Sequence, residues 1–160
     1  MSNVRHMSYM FCGCQSFNQP LQAWDVSNVF DMSEMFYGCF VFNQPLDTWD
    51  VSNVIHMSHM FNGCHAFNQP LHTWDVSHVN DMNNMFNGCH AFNQPLDTWD
   101  VSQVMSISHM FYDCRMFNHN LFAWTLKNRH IQVHHHVMFS SEYQGPHCFK
   151  EPERVDYLLK

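Results

Sequence analysis

Apolar residues fall in two different rhythms along this chain, and the pair of rhythms recurs. In the stretch beginning at Ser27, the apolar positions are Val29, Met32, Met35, Phe36 and Cys39, which lie 3, 3, 1 and 3 apart. Such spacing matches one face of a helix of about three turns. Ser27 or Asn28 stands where a helix cap belongs, and Gly38 stands near the end, where a left-handed residue closes a helix. The next segment follows another rule. Leu46, Trp49 and Val51 surround a W-D-V triplet that alternates in, out, in, as a short strand does. Between the two, Asn43-Gln44-Pro45 is turn chemistry, and Pro45 stops any helix from passing through. The expected unit is therefore helix, turn, short strand, turn.

The unit repeats without insertion or deletion. Cysteine falls at Cys14, Cys39, Cys64, Cys89 and Cys114, and tryptophan at Trp24, Trp49, Trp74, Trp99 and Trp124, always 25 residues apart. The copies are 2–26, 27–51, 52–76, 77–101 and 102–126. So strict a period means that each unit stacks on the next with one geometry. The expected fold is α/β: a right-handed, leucine-rich-repeat-like solenoid of five helix–turn–strand coils, with a parallel sheet on one face and helices on the other. The W-D dipeptide does not indicate a propeller, whose blades need ~40 or more residues. Nine positions per copy form the expected core, in the second copy Val29, Met32, Met35, Phe36, Cys39, Phe42, Leu46, Trp49 and Val51. One copy alone cannot offset its own ordering entropy, so stability has to come from the contact between neighbours.

The run N-V-x-x-M-x-x-M-F-x-G-C-x-x-F-N-Q-P-L-x-x-W-D-V-S, complete from Asn53 to Ser77, resembles the BspA-like leucine-rich repeat proteins, in particular their mycoplasma-lipoprotein-type branch. The likeness covers residues 2–126. It implies an α/β solenoid and a surface for macromolecular contacts. Family members occur as bacterial surface proteins, in protists and in large DNA viruses, and the likeness brings no catalytic residues with it. Within it, Leu46-x-x-Trp49-x-Val51 looks like the strand core of leucine-rich repeats.

The repeat stops after Leu126. Residues 127–160 are expected to cap the stack, with an extended strand from Ile131 to Phe139 followed by a short helix that begins near Pro152. At the other end, Val4, Met7, Met10 and Phe11 face no preceding coil, so a homodimer through this uncapped N-terminal coil is one expectation.

Composition narrows the function. The 160-residue chain carries a formal charge of -7, and only 13% of its residues are charged. The repeats hold Arg5 and Arg115 as their only basic residues apart from histidine, against ten acids. A nucleic-acid partner is not expected, nor is a membrane span, since no run reaches ~18 apolar residues. The first ten residues have no basic-then-apolar leader pattern. With seven cysteines and no C-x-x-C pair, the chain is expected inside a cell, in a reducing compartment (the host cell if viral).

Three groups of residues are candidate sites. Asp25, Asp50, Asp75 and Asp100 recur at one position. Each carboxylate either closes its own turn by accepting from the amides that follow in D-V-S-N or stands in a ladder that attracts a basic partner. Phe30, Ile55 and Met105 occupy a position that differs between copies, as specific recognition requires. His130, His134 and His136 are candidates for a metal site in the tail; no cofactor is expected. No glycine-rich phosphate loop, nucleophile elbow or H-E-x-x-H helix is present, so the chain is not expected to be an enzyme. The leading expectation is a non-catalytic protein–protein interaction scaffold. A histidine-rich metal-binding protein and a fragment of a surface adhesin are the alternatives.

Overall fold

The computed structural model describes residues 3–121, 123, 124 and 139. Among these the repeats are stacked in register, but they are not helix–turn–strand coils. There is no helix, and β-structure is confined to isolated bridges. The expected α/β, leucine-rich-repeat-like architecture is therefore incorrect.

The amide hydrogen bonds of the second unit explain why. Met35, Tyr37, Cys39 and Phe42 donate to Met32, Glu34, Phe36 and Cys39, each three residues back, at 3.2, 3.1, 2.9 and 3.1 Å. The amides of Met32, Glu34, Phe36 and Gly38 leave the unit altogether. They donate to the carbonyls of His56, Ser58, Met60 and Asn62 in the next unit, at 3.0, 2.9, 2.9 and 2.7 Å. Alternate residues thus close overlapping turns and bond to the neighbour. An α-helix would send all of these amides four residues back. Two residues of the run also have left-handed backbone, Glu34 at φ 56° and Gly38 at φ 68°, whereas a helix needs φ near about −60° throughout. Apolar spacing of three and four fits a series of three-residue turns as well as a helical face.

The sheet is displaced in the same way. Parallel bridges link His6, Asp31, His56, Asp81 and Ser106, inside the stretch expected to be helical. The expected strand Trp49–Val51 instead lies between turns closed by Trp49 N to Leu46 O at 3.1 Å and Val54 N to Val51 O at 2.9 Å.

Packing follows the repeat. All nine expected core positions of the second unit are buried, none more than 3% exposed. Phe11, Phe36, Phe61, Phe86 and Phe111 form a column of near-parallel rings with centroids 5.6–5.7 Å apart. Phe17, Phe42, Phe67, Phe92 and Phe117 form a second, at 5.8–6.1 Å. The two columns touch within each unit, as Phe61 and Phe67 do at 4.2 Å. Phe139 extends the first column: it is fully buried, bridges Phe111 and stacks on its ring at 5.4 Å. In the first unit Val4, Phe11, Phe17 and Trp24 are only partly buried. The rest of the expected cap, 127–160, lies outside the described residues.

Polar side chains join the units at fixed places. Trp49, Trp74, Trp99 and Trp124 donate Nε1–H to the carbonyls of Leu21, Leu46, Leu71 and Leu96 at 2.8–3.0 Å. The Oδ1 atoms of Asn18, Asn43, Asn68 and Asn93 accept from the amide of the next Asn in the series at 2.8–2.9 Å. Backbones also approach closely at the repeated glycine: a Cβ at Gly63 would make an ordinary contact 3.5 Å from the Cα of Gly38, and it is the left-handed φ of 74° that favours glycine there.

Candidate functional site

Stacking in register turns each position of the repeat into a column on the surface, and the candidate residues fall on separate columns. Asp25, Asp50, Asp75 and Asp100 are exposed. Each places Oδ1 2.9–3.1 Å from the amide of the serine two residues on, Ser27, Ser52, Ser77 and Ser102. The Ser27 and Ser52 hydroxyls also donate to that oxygen, at 2.6 and 2.7 Å. The side chain therefore makes the turn that leads out of the tryptophan segment, the first of the two roles that the sequence leaves open. The hydrogen bonds from Ser27 and Ser77, side chain first and backbone second, hold the Asp25 and Asp75 carboxyls below the usual aspartate range. For Asp75, neighbouring Asp100 pushes weakly the other way. The ladder is thus a row of outward-facing turns.

Phe30, Ile55 and Met105 do share a column. It is strung together by amide-to-carbonyl bonds running from Phe30 to Arg5, Ile55 to Phe30, Asn80 to Ile55 and Met105 to Asn80, at 2.8–2.9 Å. The Arg5 guanidinium sits 5.5 Å from the centroid of Phe30, close enough for a cation–π contact. Ile55 is 37% and Met105 62% exposed. This column and the aspartate ladder flank the same turn, which Val29 closes on Val26 at 2.9 Å.

The repeated cysteines line the interior. Cys39, Cys64, Cys89 and Cys114 are free and buried, and their thiols donate to the carbonyls of Phe11, Phe36, Phe61 and Phe86 at 2.8–3.1 Å. Burial raises the pKa of the Cys39 thiol to about 12 and pushes those of Cys64, Cys89 and Cys114 up as well. Such thiols are poor nucleophiles. Cys12 and Cys14 are free and exposed. His130, His134 and His136 lie outside the described residues. Among the described residues, no three His, Cys, Asp or Glu side chains are grouped to hold a metal, and no helix is long and apolar enough to cross a membrane.

A further column was not singled out from the sequence. Phe40, His65 and His90 stack ring on ring, and His90 meets Asp113, which also holds Arg115. The signal was available, since His65 and His90 follow successive repeat cysteines and are 25 apart.

These observations define a repeat protein in which the invariant polar groups serve the stack and the exposed columns carry the differences between copies. The family described as "Mycoplasma protein of unknown function, DUF285" matches residues 1–89 and again 42–145. The chain belongs to this repeat family, which is related to the BspA-like mycoplasma lipoprotein repeats. No curated protein and no solved structure matches the chain significantly.

Proposed function

We propose that the chain is a non-catalytic interaction module that binds another protein. The observation that carries this reading is the division of labour among columns. The repeated Asn, Trp and Cys donors or acceptors bond between units, while Arg5, Phe30, Ile55, Asn80 and Met105 differ from copy to copy and run down one partly exposed line. Beside that line stand Asp25, Asp50, Asp75 and Asp100. An apolar column flanked by acid, on repeats with only two basic residues other than histidine, suits a partner with a basic, partly apolar surface. The buried free thiols favour work in a reducing compartment.

The test is capture from cell extract with the wild-type chain and with Phe30→Ala/Ile55→Ala/Met105→Ala, followed by measurement of the salt dependence of any binding. The reading expects a captured protein that the triple variant loses and that weakens as salt rises. Capture by the triple variant at wild-type strength contradicts it.

A further inference from the structure

We propose that Phe40, His65, His90, Asp113 and Arg115 form a proton-responsive column on the surface, which comes apart when His65 takes a proton. The geometry places these residues in contact across four successive units. The Phe40 and His65 rings are 4.7 Å apart at 7°, and the His65 and His90 rings are 4.4 Å apart, also at 7°. The register is imposed by the backbone, because Ala66 donates to the carbonyl of Phe40 and Ala91 to that of His65, both at 3.1 Å. The rings therefore cannot drift apart without a side-chain rotation.

The lower end of the column is ionic. His90 Nε2 lies 2.9 Å from Asp113 Oδ2, and the Arg115 guanidinium takes Asp113 through Nε at 2.9 Å and Nη2 at 3.3 Å. Asp113 occupies the place held by Gly13, Gly38, Gly63 and Gly88 in the other units, and it keeps their left-handed backbone at φ 56°. The unit thus tolerates a strained non-glycine residue here, at the one copy where a carboxylate can reach the histidine below.

Among the described residues, the charged and titratable groups that act on His65 are His90, Asp113 and Arg115. Asp113 touches His90 and not His65, so only one imidazole of the pair has a carboxylate partner. A proton on His65 has to enter between the apolar ring of Phe40 and the stacked ring of His90, 4.7 and 4.4 Å away. Burial, and after it His90, already bias His65 toward its neutral form, against a weaker opposite pull from Asp113. Rotation of this already exposed side chain away from the two rings gives the charged form fuller hydration. It also frees the ring face of Phe40 that His65 stacks on; Phe40 is already 37% exposed, beside exposed Val41. Acid would then widen an apolar spot that Phe40 and Val41 already expose in part.

The experiment is an NMR pH titration of the imidazole nitrogens and ring contacts in the full chain, with His90→Gln for comparison. The expected result has three parts. His65 takes its proton at a lower pH than a free imidazole. The Phe40–His65 and His65–His90 ring contacts vanish with that step while Phe61–Phe86 contacts persist. In His90→Gln the His65 midpoint moves up. Ring contacts that survive below the His65 midpoint, or a midpoint that does not change in His90→Gln, overturn the proposal.

Discussion

Replacing His59 by alanine and by glycine separates the turn stack from a helix by sign. His59 has φ 56°. Its ring meets Asn62 Nδ2 at 3.1 Å and Asn84 Nδ2 at 3.5 Å. Both substitutions remove those contacts equally, so the difference between them reports the backbone. A left-handed alanine costs ~1–2 kcal/mol relative to its right-handed form. Glycine avoids this but loses ~0.5–1 kcal/mol more in chain entropy on folding. The turn stack therefore makes His59→Gly more stable than His59→Ala by ~0.5–1 kcal/mol. In a helix interior the order reverses, with alanine better by ~1 kcal/mol. Equilibrium urea unfolding followed by tryptophan fluorescence reads the difference. For a chain of this length it is about 2–4 °C in Tm per kcal/mol. If His59→Ala is the more stable of the two, the left-handed assignment at this position and its equivalents is refuted.

Asp50→Ala should lower stability by ~0.5–2 kcal/mol, as loss of a capping acceptor does, and Asp50→Asn by less, because asparagine keeps an acceptor oxygen. Thermal melts of both variants check this, and a rise in both would mean that the carboxylates are held against stability. Alkylation of the native protein should modify Cys12 and Cys14 well before Cys39, Cys64, Cys89 and Cys114, as peptide mass mapping reads directly; equal rates would contradict the buried column. Asp25 and Asp75 have folded pKa values below their unfolded ones. Their contribution is therefore present above the unfolded aspartate range and is lost as pH falls through the folded values. Replacing both by asparagine should flatten the fall of Tm on the acid side, and an unchanged acid slope would count against the turn hydrogen bonds.

The period, the nine core positions and the turn role open to Asp50 were legible because each depends on residue type at fixed spacing. The backbone path between core positions was not. Val29, Met32, Met35, Phe36 and Cys39 reach the interior at intervals that helical turns and successive three-residue turns share, so hydrophobic pattern alone could not decide. The discriminating clue was weaker. Gly38, Gly63 and Gly88 mark one left-handed position, but the other is filled by Glu34, His59, Asn84 and His109, a set in which asparagine and histidine are enriched at positive φ only relative to other non-glycine residues and glutamate is not. The exposed columns were legible in part. Phe30, Ile55 and Met105 align as their common phase implies, whereas the ring stack of His65 and His90 depends on where Cys64 and Cys89 turn the chain outward.

The central claim is that alternate amides of each unit bond to the next unit instead of within their own. Scalar coupling through hydrogen bonds measures this directly in isotope-labelled protein. The account predicts couplings from the amide nitrogens of Met57, His59, Phe61 and Gly63 to the carbonyl carbons of Asp81, Asn83, Met85 and Asn87, across bonds of 2.7–3.0 Å. Couplings from Phe61 to Met57 and from Cys64 to Met60, four residues back, would show a helix in its place and contradict the account.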